Sequence, residues 1–239
     1  MTDAQRDDAD RLEQTRSCVV AAALPHVAFD GWTGRSLAAA IEDAGADPAL
    51  ARTAFPRGGI DLALAFHDDR DRALAEDLAR ADLDGLRFRD RIAFAVVRRL
   101  ELVRPEREAV RRAVALCALP HHAPAGARAI WRTADTIWNA LGDTSRDFNW
   151  YSKRATLAGV YSAALLYWLG DETPSGSATR DFVGRRIDEV MRFEEIKGRI
   201  RSNPVAAAVL KGPLALLARV RAPADPRDSD LPGSLHPPR

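Results

Sequence analysis

Residues 29–56 read FDGWTGRSLAAAIEDAGADPALARTAFP, and the residues that start and stop helices in this stretch decide the fold class. Thr33 is a favourable N-cap, because its hydroxyl can accept a hydrogen bond from a backbone N–H that lacks a partner in the first turn. Gly45 suits the C′ position, where the backbone often takes left-handed angles. The stretch therefore predicts a short helix from Thr33 to Ala44.

A second short helix follows this one directly. Asp47 and Pro48 are favoured at the N-cap and at the first helical position, and they predict a helix that ends near Phe55. The helix before this pair is expected to end at Pro25, and the helix after it to run from Asp61 to about Arg80. This order is that of a helix-turn-helix module, and the sequence resembles the N-terminal domain of TetR-type repressors.

Composition predicts an all-α fold for the whole chain. Its 239 residues are 46% hydrophobic and rich in Ala, Leu and Arg, and no stretch alternates with period two. Beyond Arg80, breakers separate five further helices, expected at 85–103, 105–119, 124–141, 149–169 and 179–199. We predict a degenerate helix-turn-helix module at 1–66, a ligand-binding and dimerisation bundle at 67–200, an amphipathic helix at 201–222 and a disordered tail at 223–239.

The N-terminal module lacks the charge that DNA binding requires. Between residues 1 and 66, six Arg residues stand against ten Asp and Glu residues, which gives a net charge of −4. The expected recognition helix at 49–55 has one Arg for phosphates and no Asn or Gln for base edges. We therefore expect no nucleic-acid partner.

Large apolar side chains are concentrated in the helices expected at 124–141 and 149–169. Helix bundles often bind apolar ligands between such helices, although an ordinary core has the same pattern. The candidates for the wall of a lipid site are Trp131, Trp138, Leu157, Tyr161, Leu165 and Trp168. Small residues at positions 155, 159, 162 and 163 form a flat side of the second helix, which suits a homodimer face.

The C-terminal region combines positive charge with an apolar face. Residues 196–222 contain six Lys and Arg residues and no acid. A helix of this kind either lies in a membrane surface or packs on its own bundle. The candidates for membrane contact are Val205, Val209, Lys211, Leu216, Arg219 and Val220.

No pattern in the sequence predicts an active site. The chain has no Gly-rich phosphate loop, no Gly-x-Ser-x-Gly elbow and no Glu-x-x-His pair. Cys18 and Cys117 lack metal-ligand spacing, and Asp143 and Asp147 are well placed to cap turns and helix starts. We expect no enzyme activity, no metal and no cofactor other than a bound lipid.

Two motifs carry a resemblance to one family: LCALPH at 116–121 and WNALGDTSRDFNWYSKRA at 138–155. With Tyr161, they make the chain similar to the ubiquinone (coenzyme Q) biosynthesis accessory proteins, which are lipid-binding proteins with a TetR-like fold. The resemblance implies a non-catalytic homodimer that binds isoprenoid or quinone lipids in its bundle and presents quinone intermediates to the membrane-associated di-iron demethoxyubiquinone hydroxylase. It also implies a partner surface at Ile137, Trp150, Tyr151 and Arg154.

Localisation and rival functions follow from the same observations. The acidic N-terminus, MTDAQRDDADR, resembles neither a secretory signal nor a mitochondrial presequence, which fits a bacterial member or a processed form. For a bacterial member we expect a cytoplasmic protein on the inner face of the cell membrane. A ligand-responsive TetR-type regulator is the main alternative. An enzyme whose site has no recognisable motif is the second.

Overall fold

The computed structural model describes the backbone of residues 3–202 and the side chains of residues 5–192. Over that range the chain forms nine α-helices and a short 3-10 turn, and no β-strand, as the composition predicts. The elements in chain order are α1 (Asp3–Asp30), α2 (Gly34–Asp43), α3 (Pro48–Ala54), α4 (Gly59–Arg80), α5 (Phe88–Leu102), α6 (Arg107–Cys117), α7 (Ala123–Ala140), α8 (Phe148–Gly170), the 3-10 turn (Pro174–Gly176) and α9 (Ser177–Ser202).

The predicted caps of the short helices are confirmed. The Thr33 hydroxyl accepts a hydrogen bond from the Ser36 N–H at 3.2 Å, and the Asp47 carboxylate accepts one from the Ala49 N–H at 2.7 Å. Gly45 has a φ of 59°, in the left-handed region that a C′ residue often occupies. These bonds satisfy backbone groups that the first and last turns leave free.

The prediction that α1 ends at Pro25 is wrong, since the helix continues to Asp30. Proline removes one backbone hydrogen bond, but the turn that follows it is held by packing. The Val27 side chain is fully buried, and the Val27 carbonyl accepts a hydrogen bond from the Gly31 N–H at 3.0 Å. Burial of this side chain offsets the lost bond.

Trp32 ties the N-terminal helices to the bundle. Its indole Nε1 donates a hydrogen bond to the Ala109 carbonyl of α6 at 2.8 Å, and its ring centre lies 5.4 Å from that of Phe66. A Cβ atom on Gly59 would lie 2.1 Å from the Trp32 carbonyl oxygen, so only glycine fits there. The helix α4 runs unbroken across residue 66, and the two predicted modules therefore share a helix.

The bundle is built around α4, α5, α7 and α8. The helix α4 packs against α5 and α7, α8 packs against α7, and α9 packs against α5 and α8. The core is apolar except at a few positions, of which Arg99 and Arg154 are the largest, with 2% and 1% of their surface exposed. Since buried charges require partners, both arginines are expected to be paired with acidic groups inside the protein.

Candidate functional site

A cavity of about 370 Å³ lies among α4, α5, α6, α7 and α8. This volume is within the range of small-molecule sites, which are roughly 300–1,000 Å³ and mostly apolar. The apolar wall includes Ala63, Phe66, Val110, Val114, Ile130 and Leu165. The helices α4 and α6 thus contribute as much of the wall as α7 and α8 do.

One side of the cavity reaches the surface. Four of its lining residues are exposed, and all four are apolar: Ala118, Ala123, Ala127 and Leu166. Ala118 directly follows α6, Ala123 and Ala127 lie in the first two turns of α7, and Leu166 lies on α8. This apolar opening, the mouth, gives a hydrophobic molecule a route into the bundle.

The cavity is polar, not apolar, at Arg99, which lines it from α5. The Arg99 Nε donates a hydrogen bond to Asp71 Oδ1 at 2.7 Å, and Nη2 donates one to the His67 carbonyl at 3.2 Å. The Thr133 hydroxyl donates to both Asp71 oxygens at 3.0 Å. Arg99, Asp71, Thr133 and His67 form the polar node of the cavity.

The hydrogen bonds of His67 indicate its protonation state. Its Nε2 lies 3.1 Å from the Ala129 carbonyl, which can only accept, so Nε2 carries the proton. Its Nδ1 lies 3.4 Å from Arg99 Nη2 and accepts from it. His67 thus contacts the node through both ring nitrogens, and its Nε2 also lies 3.4 Å from Asp71 Oδ2.

Burial and pairing act in opposite directions on this node. Burial raises the pKa of Asp71, but the interactions with His67 and Arg99 outweigh it and lower that pKa overall. Burial lowers the pKa of Arg99, yet the nearby acidic groups raise it overall. The ion pair therefore stays charged at neutral pH.

Tyr161 lines the cavity beside the polar node. It is 1% exposed, and the Arg99 guanidinium carbon lies 6.0 Å from the centre of its ring. Burial raises the pKa of its hydroxyl, which therefore remains a hydrogen-bond donor at neutral pH. Within the described part of the chain this hydroxyl has no hydrogen-bond partner.

The structure brings only two of the predicted lipid-binding residues to the cavity, Tyr161 and Leu165. Leu157 and Trp168 are buried in the core, where Arg107 lies over the Trp168 ring. The other two, Trp131 and Trp138, lie elsewhere on α7. An apolar stripe on a helix identifies buried positions, but it does not show which of them face a cavity. For this reason the sequence prediction included four residues that do not line it.

Trp131 belongs instead to an aromatic cluster with Trp150 and Tyr151 at the start of α8. The ring centres of Trp131 and Trp150 are 5.9 Å apart, and those of Trp150 and Tyr151 are 4.8 Å apart. All three side chains are partly exposed. The cluster is a rigid, half-buried surface on which a partner protein can be anchored.

Ile137 and Arg154, which were expected on the same surface, are buried instead. The Arg154 guanidinium lies 4.0 Å from the centre of the Trp150 ring, on its inner side. Its Nε donates to Asp135 at 2.5 Å, and its Nη1 donates to Asp143 at 3.0 Å. Arg154 can therefore act on a partner only by supporting Trp150.

Asp147 caps the start of α8, and Asp143 accepts a hydrogen bond from the Ser145 N–H at 3.4 Å in the turn before it, as predicted. Burial raises the pKa of Asp143, but hydrogen bonds from Lys153, Ser145 and Arg154 lower it to about 2. The Asp143 side chain is 3% exposed. Its charge is thus part of the folded structure at neutral pH.

The remaining expectations concern surfaces. On α3 the exposed positions include one cation, Arg52, beside Ala49 and Thr53. On α8, Ala155 and Gly159 are exposed, and Ser162 and Ala163 are partly exposed. Val205 and the five other candidates for membrane contact lie outside the described residues, as do residues 203–222 of the helix predicted at 201–222 and the whole tail predicted at 223–239.

Two kinds of feature are absent from the part of the chain that the structure describes. None of the helices there is long and apolar enough to cross a membrane. No group of three or more His, Cys, Asp or Glu residues in that part of the chain could hold a metal ion.

The residues that sequence reasoning missed are those of the polar node. Arg99, Asp71 and Thr133 come from three different helices, so no local motif contains them. One signal was present in the spacing, because Arg99 falls on the inward stripe that contains Val96 and Val103. A charged residue at a core position of a helix indicates a buried partner.

Comparison with known proteins agrees with the motifs. The COQ9 family model matches residues 123–194. The mitochondrial ubiquinone biosynthesis protein COQ9 of Drosophila melanogaster is 33% identical over 194 residues, which are 79% of this chain and 59% of that protein. Its Homo sapiens counterpart is 29% identical over 206 residues, which are 83% of this chain and 64% of that protein. The chain thus spans about three fifths of the length of these relatives.

The fold has a solved counterpart. A TetR transcriptional regulator from Nitrosomonas europaea aligns with a TM-score of 0.57 at 18% identity, over 73% of this chain and 96% of that protein. At this identity the similarity concerns the fold alone. Through residues 123–194 the chain matches the COQ9 family model, and its fold is that of the TetR-type regulators.

Proposed function

We propose that the protein is a non-catalytic accessory protein of ubiquinone biosynthesis, which holds an isoprenoid quinone intermediate in the cavity. The cavity with its apolar mouth is the observation that carries this proposal. Its wall is apolar, its volume suits a small lipid head, and an exposed leucine, Leu166, stands at the opening. The relatives are named as ubiquinone biosynthesis proteins, and we take the proposed pathway from these names.

The same proposal includes delivery of the ligand to an enzyme. The aromatic cluster of Trp131, Trp150 and Tyr151 is the surface we assign to the di-iron demethoxyubiquinone hydroxylase. Aromatic side chains held in place by neighbours lose little conformational entropy when a partner binds. The cluster is adjacent to the N-terminal end of α8, the helix that also walls the cavity.

A membrane and a second copy complete the assembly. We assign the exposed small side of α8, at Ala155 and Gly159, to the homodimer, because a Cβ atom added at Gly159 would meet no described atom within 4 Å and the surface there is open. The basic apolar segment at residues 205–220 is assigned to the inner face of the cell membrane. Catalysis is left to the hydroxylase, since the carboxylate nearest the cavity, Asp71, is occupied by Arg99 and Thr133.

Nucleic acid is excluded from the proposed partners on charge. The exposed side of α3 offers one cation where a groove-reading helix needs several. A salt-dependent DNA mobility shift at physiological ionic strength would support the TetR-type regulator instead.

Lipid extraction tests the proposal directly. Mass spectrometry of lipids from the native full-length protein is expected to identify isoprenoid quinones. Ala113→Phe, which fills the cavity from α6, is expected to lose them, at a cost to folding of about 1–3 kcal/mol. Ala115→Phe, on the exposed side of the same helix, is the matched control and should retain them. Wild-type protein without isoprenoid lipid, or equal lipid in both variants, would refute the proposal.

A further inference from the structure

We propose that the polar end of the cavity binds the oxygen-bearing ring of a quinone or phenol, with Tyr161 as a direct hydrogen-bond donor and Arg99 beside it. The ligand would then lie with its ring inside the bundle and its hydrocarbon tail in the mouth. This inference rests on the proposed function and adds to it the part of the ligand that is recognised and its direction.

The Tyr161 hydroxyl is the first argument. It is a polar group on a side chain that is 1% exposed and that lines the cavity, and it has no partner among the described residues. A hydroxyl at a cavity wall that has no protein partner can donate a hydrogen bond to a ligand. An oxygen of a ligand ring placed at this end would accept the bond.

The donors and acceptors of the polar node are the second argument. Both Asp71 oxygens accept a bond from Thr133, and one of them also accepts from Arg99, so the carboxylate is occupied. Arg99 uses Nε and Nη2, while Nη1 makes no hydrogen bond within the described part of the chain. The polar end therefore presents donors, which suit carbonyl, phenol and ether oxygens.

The charge of the node distinguishes a ring from a diphosphate. The Arg99 charge is balanced by Asp71 at a distance of 2.7 Å, and no other arginine or lysine is among the described residues that line the cavity. A site for a prenyl diphosphate needs several uncompensated cations. A neutral oxygenated ring satisfies the donors without adding an unpaired buried charge.

The mouth fixes the direction of the tail. Ala118, Ala127 and Leu166 are exposed and apolar, and Leu166 is 60% exposed. A cavity of about 370 Å³ is too small for a long polyprenyl chain. The ring and the first part of the tail fill the cavity, and the rest of the tail leaves through the mouth.

Calorimetric titration of lipid-stripped full-length protein tests this inference with three probes. Decylubiquinone carries a quinone ring on a decyl tail, decylbenzene has the same tail without oxygen, and geranyl diphosphate has an anionic head. Tyr161→Phe removes only the hydroxyl, and is expected to weaken decylubiquinone binding about three- to tenfold, as the loss of one neutral hydrogen bond does. Decylbenzene binding should be unchanged, and geranyl diphosphate should bind more weakly than decylubiquinone.

Tyr167→Phe is the matched control, since its ring stacks on Phe182 at 4.3 Å and does not line the cavity. It should leave all affinities unchanged. Because the Tyr161 hydroxyl has no internal partner, Tyr161→Phe is expected to keep the wild-type melting temperature. Unchanged decylubiquinone binding in Tyr161→Phe, an equal loss for decylbenzene or preferred binding of the diphosphate would overturn the inference while lipid binding stands. A wild-type protein that binds none of the probes would overturn the proposed function as well.

Discussion

Arg99 and Arg154 are both buried arginines in the same helical bundle, but they have different surroundings. Arg99 is paired with one carboxylate, Asp71, and lines a cavity. Arg154 is paired with two carboxylates, Asp135 and Asp143, and also donates to the Asn139 side chain at 3.0 Å. One arginine keeps a donor available, and the other uses its donors to hold two helices together.

The difference indicates that Arg99 is available to bind a ligand, whereas Arg154 supports the fold. Arg99 is in a node with balanced charge next to empty space, so its remaining hydrogen-bonding capacity can be used by a ligand. Arg154 joins α7 to α8 beneath the Trp150 ring, at 4.0 Å from the ring centre. Its removal should therefore change the shape and stability of the aromatic cluster rather than the chemistry of the cavity.

The largest expected effect is that of Arg154→Met on folding. The substitution leaves Lys153 as the remaining cation beside Asp143 and removes the cation paired with Asp135, which should cost about 3–5 kcal/mol. Urea denaturation followed by circular dichroism measures it. Arg132→Met, which breaks an ion pair in which Arg132 is 49% exposed, should cost less than about 1 kcal/mol. Equal losses in the two variants would contradict the supporting role of Arg154.

The pH dependence of stability tests the same network through Asp143. Its pKa is about 2 in the folded protein against an ordinary value of 3.8, so its charge contributes stability above about pH 4. That contribution, about 2 kcal/mol, is lost as the pH falls from 4 towards 2, where the folded carboxylate takes up a proton.

Asp143→Asn is the variant that isolates this effect. The difference in unfolding free energy between wild type and Asp143→Asn should be greatest at neutral pH and should shrink below pH 4. Asp84→Asn, at an exposed position between α4 and α5, should show no such change. A difference that stays constant with pH would exclude Asp143 as the titrating group.

Trp150→Ala probes the surface that Arg154 supports. We expect the affinity for the hydroxylase to fall by about 2 kcal/mol, which is roughly thirtyfold, because aromatic anchors dominate such interfaces. The free energy of unfolding should fall by only about 1 kcal/mol through the lost contact with Arg154.

The control is Phe94→Ala, which removes an aromatic ring that is 39% exposed on α5. Calorimetric titration should show wild-type affinity for this variant. Unchanged affinity in Trp150→Ala would remove the aromatic cluster from the mechanism.

The smallest effect is expected at the polar node, from Thr133→Val. The variant removes one hydrogen bond to Asp71 but leaves the bond from Arg99, so we expect a loss of about 1 kcal/mol in unfolding free energy. Thr53→Val, whose exposed hydroxyl donates to the Ala49 carbonyl within α3, should lose less. A loss as large as that of Arg154→Met would mean that the polar node around Arg99 supports the fold as much as Arg154 does.

Local sequence signals predicted the helices well because helix ends depend on adjacent residues. Thr33 and Asp47 make their capping bonds with residues two or three positions ahead, so a short stretch contains the whole interaction. Pro25 was misleading because the turn after it is held by burial of Val27, which depends on distant helices.

The site was harder to predict for the same reason. The cavity is formed where five helices fail to fill the space between them, and no stretch of sequence specifies a void. The family motif led to Trp150 and Tyr151, which do form a cluster, but it could not show that Arg154 lies underneath. Arg99 and Arg154 both interrupt apolar stripes, and that signal identifies buried charges without showing which one lies beside a void.

The bond between Trp32 and the Ala109 carbonyl has a consequence for tolerance to mutation. The N-terminal helices pack onto α4 and α6, which wall the cavity, so they brace the site from outside. In a saturation mutagenesis screen for lipid retention, Ala49, Arg52 and Thr53 on the outer side of α3 should accept almost any residue. Trp32 and Gly59, on the inner side of the same module, should accept almost none.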